Sequence, residues 1–235
     1  MDVIISVANN FFYTKSLPCS LWFFDKGKPE ELRDKVPFID TRNYYTVVDR
    51  TLNEWSDWQL KNLNAIVWLY RGKVEKYQAL LAEYRAELGS ELSFAEIKAR
   101  LQNEITAKRD EAKAAVEQAE RREKKAVQAR YDEEIAELEE RLTVTKEADW
   151  LYNKFGEGEY QDIPGLCKIA DRKTFLEEKG CSLTPGSYVG VAPVEDDGVD
   201  FAQRMAEIHQ ELLDLQAESN VLMDTISKNL GEMGL

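Results

Sequence analysis

Histidine and cysteine are almost missing from this sequence of 235 residues, which has one His, His209, and three Cys, Cys19, Cys167 and Cys181, with no C-x-x-C spacing among them. Zinc held by imidazole or by paired thiolates is therefore disfavoured. An odd number of scattered thiols without a secretory signal favours reduced, packed cysteines over a Cys167 to Cys181 bridge. No run approaches the roughly 18 uninterrupted apolar residues of a membrane span, and the start shows no basic region followed by an apolar stretch and a cleavage site. The expectation is a soluble, cytoplasmic protein that does not enter a membrane.

Positive charge is short as well. Lys and Arg number 31 against 44 Asp and Glu, a formal net charge of −13 with a pI near 4.8. Affinity for duplex DNA is built mostly from cations on phosphates, so free DNA should be repelled and any work on it must lean on a partner. The cluster Arg121, Arg122, Lys124, Lys125 is flanked closely by acids and reads as a solvated helix face.

What is present divides the chain into unlike stretches. Residues 3–7, 17–24 and 36–40 are short apolar runs, with Asp25-Lys26-Gly27-Lys28-Pro29 marking a turn between the last two. Continuous rather than alternating runs predict strands covered on both faces, by helices that this segment does not itself supply. The reading is that the chain starts inside a domain, and that its unpaired strand edges lead to a homodimer or a reorganised N-terminal region.

Helix begins at Ser56-Asp57-Trp58-Gln59, a Ser-x-x-Gln capping box followed by apolar residues three and four apart up to Gly72. A second helix is predicted over 74–88, ended by Gly89. Ser93-Phe94-Ala95-Glu96 is another capping box, and from Ser93 to Leu142 there is neither Gly nor Pro. This predicts one helix of about 50 residues, about 75 Å long, a slender antenna paired loosely at its middle. Residues 150–193 read as irregular. Within them Gly156-Glu157-Gly158 is a turn, since a lone G-x-G without a preceding strand and a third glycine is no nucleotide fingerprint. Asp171 caps a short helix that ends at Gly180, and Pro185-Gly186 makes a further turn.

The last helix carries Phe201, Met205, Ile208, Leu212, Leu215, Leu222 and Ile226, with polar Ser219 in one slot of the same seam. Steps of four and three make a coiled-coil heptad, which requires a partner. His209 lies on the shoulder of this seam as an ordinary helix-surface residue. The resulting division is 1–50 terminal strands, 51–92 connecting helices, 93–148 antenna, 149–197 irregular linker with a short helix, and 198–235 assembly helix.

Five stretches together carry a resemblance. Asn10-Phe11-Phe12-Tyr13-Thr14, Leu17-Pro18-Cys19, Phe38-Ile39-Asp40-Thr41-Arg42, residues 149–168 with their W-x-x-x-x-F-G-x-G-x-Y and G-L-C-K pattern, and residues 182–191 with S-L-x-P-G-x-Y-V-G-V resemble the modification subunit of type I restriction-modification systems. That family is an adenine-N6 DNA methyltransferase using S-adenosylmethionine, and the chain is similar to its last third. The resemblance implies a mostly α chain in which a few terminal β-strands of a Rossmann-like methyltransferase sheet precede long helices with coiled-coil character.

It also implies functional assignments. The family's cofactor loop and N-P-P-F tetrapeptide belong upstream of these motifs, so S-adenosylmethionine serves the intact enzyme and is not expected to bind this chain alone. Asn9-Asn10-Phe11-Phe12 has an outward likeness to N-P-P-F but lacks both prolines, and by register it falls in a later motif where an aromatic ring meets the extruded adenine. Phe12 is the matching position, and it either stacks on that base or fills the core beside its neighbours. Lys15-Ser16 and Ser187 depart from the family pattern, which has Gly at the second position of the first pair and Arg in place of Ser187. The heptad seam is the surface for the specificity subunit, with DNA engaged only in the complex. The alternative reading is a stand-alone helical interaction or scaffold protein without catalytic activity.

Overall fold

The structure is a computed structural model and describes residues 1–12, 16–120, 122–192 and 201–232, several of the last stretch by backbone alone. Tyr13, Thr14, Lys15, Arg121 and the acidic turn at 195–198 lie outside the described residues, as does the side chain of Phe201. Met1–Ala192 form one compact unit and Pro193–Leu235 another.

In the first unit β1 (Val3–Val7) pairs antiparallel with β2 (Cys19–Phe23) and parallel with β3 (Lys35–Asp40). β3 pairs in turn with β6 (Cys167–Asp171), giving the order β2-β1-β3-β6 in a small mixed sheet. The fourth strand thus comes from the stretch read as irregular. A separate hairpin joins β4 (Thr46–Asp49) to β5 (Leu52–Glu54), two strands too short to stand out as apolar runs.

Residues opposite one another in adjacent strands share a face. Val3, Ile5, Ile39 and Cys167 therefore point one way, into a core with Leu63, Ile66, Leu81 and Leu151. Ile4, Phe38 and Ala170 point the other way, under Tyr188 and Val189. The cover that the first forty residues cannot provide comes from later in the same chain. β1 is buried throughout, whereas β2 is exposed at four of its five positions.

The helices α1 (Asp57–Tyr70) and α3 (Phe94–Gln118) start at the two capping boxes: Ser56 Oγ accepts from Gln59 N at 3.2 Å and Ser93 Oγ from Glu96 N at 3.3 Å. α2 (Val74–Leu88) ends at Gly89, whose φ of 59° is the left-handed stop expected of glycine.

The predicted 50-residue helix is two helices. α3 stops at Ala119, which turns extended (ψ 147°), and α4 (Lys124–Phe155) returns antiparallel along it. A lone antenna would leave its apolar stripes in water. Folding back buries Ile97, Leu101, Ile105 and Ala112 of α3 together with Ile135 and Leu142 of α4, at the cost of a few helical residues in a stretch with no large apolar side chain. Lys98 to Asp149 at 2.7 Å, Lys108 to Glu134 at 2.9 Å and Arg109 to Glu139 at 2.6 Å fix the register of the hairpin.

Beyond α4 the predicted short helix is a single π-type turn, Thr174–Glu178, with Asp171 Oδ1 accepting from Thr174 N at 2.7 Å. The turn predicted at Pro185-Gly186 opens the short α5 (Gly186–Val189). The cysteines are free thiols. The second unit is the helix α6 (Phe201–Glu232). Among the described residues no helix is long and apolar enough to cross a membrane.

Candidate functional site

β1 runs out at Val7, and the chain turns at Asn9 and Asn10, the latter at φ 60°. Asn tolerates the left-handed region better than most residues. The turn is gripped from β5. Asn53 donates its backbone N–H to the Asn10 carbonyl at 2.8 Å and its side-chain amide to the Asn9 carbonyl at 3.0 Å, although 43 or more positions separate them in sequence. Held this way, Phe11 tilts against the Trp55 ring at 4.8 Å and meets Tyr45 edge-on at 6.0 Å. Its neighbour Phe12 is left 49% exposed, so the ring that packs is Phe11.

A polar network supports the base of this loop. Tyr44 stacks on Trp150 (4.0 Å, 9° between planes) and donates its hydroxyl to Glu147. Asn62 donates to Tyr44 Oη at 2.9 Å and accepts from Tyr84 Oη at 2.9 Å, while Gln59 Nε2 reaches Glu147 Oε1 at 3.1 Å. Burial pushes the Glu147 carboxyl up, opposed by the bonds from Tyr44, Gln59 and Asn62. Burial, with Glu147 next, also holds Tyr44 and Tyr84 far above the usual phenol range. These groups satisfy one another. They form a brace between α1, α2 and α4.

The third feature is the free edge of the sheet. Leu21 and Phe23 of β2 share a face with Val3 and Ile5 and, with α1 residues such as Leu60 and Val67, line a cavity of about 390 Å³. Trp22, 49% exposed, points the opposite way, so β2 is apolar and uncovered on both faces. At the cavity rim the buried Asp2 is bound by Arg71 and lies 3.6 Å from Lys28. Desolvation lowers the Lys28 ammonium pKa, and Asp2 opposes that shift.

The remaining motif residues prove to be packing devices. Asp40 receives Arg42 Nε at 2.9 Å and Nη2 at 2.6 Å. Gly186 leaves room for that guanidinium, since a Cβ there would sit 2.7 Å from Arg42 Nη2. Gly158, at φ 113°, lies where a Cβ would be 2.9 Å from the Tyr77 ring, and Tyr77 Oη bonds the Gly156 carbonyl at 2.8 Å. The G-x-G is a turn that seats α2 on the end of α4. Ser187 is exposed on α5. On α6, Met205, Ile208, Leu212, Leu215, Leu222 and Ile226 are all exposed. Sequence reasoning missed Asn53 and Glu147. The available signals were an amide inside a strand, where Asn is disfavoured, and an acid on the turn of α4 between Val144 and Ala148.

The family model for N-6 DNA Methylase matches residues 1–118, half of the chain. A type I restriction enzyme MjaIX methylase subunit from Methanocaldococcus jannaschii is 23% identical over 231 residues, covering 98% of this chain and 26% of that protein. A type I restriction enzyme HindI methylase subunit from Haemophilus influenzae is 38% identical over 91 residues, 39% of this chain and 20% of that protein. The chain thus spans about a quarter of the length of these curated relatives or less. No solved structure matches it significantly.

Proposed function

Since the chain belongs to the N-6 DNA methylase family, we propose that it is the C-terminal portion of a type I restriction-modification methyltransferase subunit. The intact enzyme would transfer methyl from S-adenosylmethionine to adenine N6 in DNA, in complex with a specificity subunit. Alone, this chain is inactive and serves assembly. The observation that carries this reading is β2, a strand apolar on both faces with a cavity beneath it and, among the described residues, an unpaired edge. A strand of that kind belongs inside a sheet, with further strands on its free side and helices over both faces.

On this reading the cofactor is held by the upstream portion of the intact enzyme and not by this chain alone. The cavity under β2 has no glycine turn to offer backbone donors, and its one acid, Asp2, is already held by Arg71 and Lys28. No methyl-transfer step is therefore assigned to this chain. What it contributes is an aromatic ring and an assembly surface. Phe12 stacks on the extruded adenine, returning about 1–3 kcal/mol of a flipping cost of a few kcal/mol. The seam from Phe201 through Ile226 takes the helices of the specificity subunit, at about 1.5–3 kcal/mol for each apolar side chain fully buried.

The experiment is reconstitution. Purified chain titrated with S-adenosylmethionine in a calorimeter should give no saturable heat and should transfer no methyl to duplex DNA. Co-expressed with the upstream portion of a methylase subunit and a specificity subunit, it should enter a complex that does. Micromolar cofactor binding or turnover by the isolated chain would overturn the reading.

A further inference from the structure

Phe12 can meet a base only if its loop holds one shape, and none of its described residues, 9–12, imposes it. Residues 9–12 contain no proline, and Asn10 sits in the left-handed region at φ 60°, which an Asn enters but does not enforce. The restraint comes from Asn53, a residue 6% exposed on β5 whose two N–H donors close on two successive loop carbonyls. One donor fixes the height of the turn, and the second fixes its rotation. With both made, Phe11 packs against Trp55 and Phe12 is left half exposed. Slippage of the loop by one residue would exchange the two rings.

Resting on the reading of Phe12 as the base-stacking ring, we propose that Asn53 is the positioning residue for base capture, holding Phe12 in the path of the extruded adenine through the Asn9 and Asn10 carbonyls. Asn53 itself touches no substrate. Its effect passes wholly through the loop. The β4–β5 hairpin carries it, with Val47 opposite Asn53 in the ladder.

The test uses the full-length methylase subunit assembled with its specificity subunit and DNA carrying 2-aminopurine at the target adenine, whose fluorescence reports unstacking. Phe12→Ala, Asn53→Asp and the double variant are compared, with thermal melts alongside. Asn53→Asp keeps the backbone bond to Asn10 and replaces the side-chain donor with an acceptor. The expected result is a loss of kcat on the order of tenfold to a hundredfold in each single variant, an altered fluorescence signal in both, and a double variant no worse than Phe12→Ala, because two residues acting through one contact are not additive. Should Asn53→Asp fail to fold, Asn53→Ser carries the same test, losing the reach to Asn9 alone. Normal turnover and fluorescence in the Asn53 variant while Phe12→Ala is impaired would overturn the positioning role and leave the stacking role standing. Additive losses would also overturn it. Full activity in Phe12→Ala would overturn the stacking reading itself.

Discussion

Tyr188 lies flat on Phe38, with ring centroids 3.7 Å apart and planes 8° from parallel. The stack joins the P-G-x-Y segment to the F-I-D-x-R strand, two motifs nearly 150 positions apart in the chain, and it closes the second face of the sheet over Ile4 and Ala170. Tyr188 Oη adds a bond to the Ser182 carbonyl at 2.6 Å. Tyr188→Ala should therefore cost about 3–5 kcal/mol in urea unfolding, and Tyr188→Phe about 1 kcal/mol. Gly186→Ala, by contrast, displaces only the end of the Arg42 side chain, which is 53% exposed, and should cost no more than about 1 kcal/mol. A Gly186→Ala loss equal to that of Tyr188→Ala would show that the ion pair, not the ring stack, holds this face.

Glu147 gives the chain a pH signature. Its folded-state carboxyl is raised above the ordinary value by burial. In the window between the unfolded value and the raised one, the native state binds the proton that the unfolded state has lost, so stability falls as pH rises through that window. Paired denaturation series from pH 4 upward should show this fall in the native chain, superimposed on other titrations, and its loss in Glu147→Gln. The difference between the two curves is the measurement. A difference that stays flat across the window would mean that the bonds from Tyr44, Gln59 and Asn62 offset the burial fully.

The helical hairpin predicts a sharp contrast along its length. Leu101 is 3% exposed between α3 and α4, and Leu101→Ala should cost about 2–5 kcal/mol. Lys125 near the tip is exposed, and its replacement by Ala should fall within about 0.5 kcal/mol of neutral. Thermal melts of the two variants check both numbers. If the hairpin opened into the single long helix first expected from the sequence, Leu101 would lie in solvent and the two substitutions would be equally mild.

That hairpin also shows where the sequence could be read and where it could not. Both capping boxes and the glycine stop after Leu88 were legible because each rests on bonds between residues a few positions apart, and the three N-terminal strands because each is a continuous apolar run. The break at Ala119 was not. It carries no Gly or Pro, and it exists because two distant stripes gain more by packing on each other than the helix loses by stopping. β6 and the β4–β5 hairpin escaped notice for the same kind of reason: their residues become strands by pairing with β3 and with each other, not by apolar pattern. The grip on the Asn9-Asn10 turn was not legible either, since Asn53 reaches it across more than forty residues through two ordinary hydrogen bonds.

The last prediction concerns β2. Among the described residues no strand pairs with its free edge, and Leu21, Trp22, Phe23 and the adjoining Phe24 are all substantially exposed, Phe24 at 70%. An isolated chain with such an edge should associate through it, either strand to strand with a second copy or by burying the two apolar faces. Sedimentation velocity across a concentration series should then show a dimer or larger species for the chain alone. A Trp22→Lys, Phe24→Lys variant should move that equilibrium toward monomer, because a charged side chain on an edge strand disfavours pairing. The seam on α6 is a competing cause, separable by a Leu212→Lys, Leu215→Lys variant with β2 left intact. If the β2 variant associates as strongly as the native chain and the α6 variant does not, the helix and not the sheet edge drives association. If the proposed completion of the sheet holds, addition of the upstream portion of a methylase subunit should suppress association through β2 and leave association through α6 unchanged.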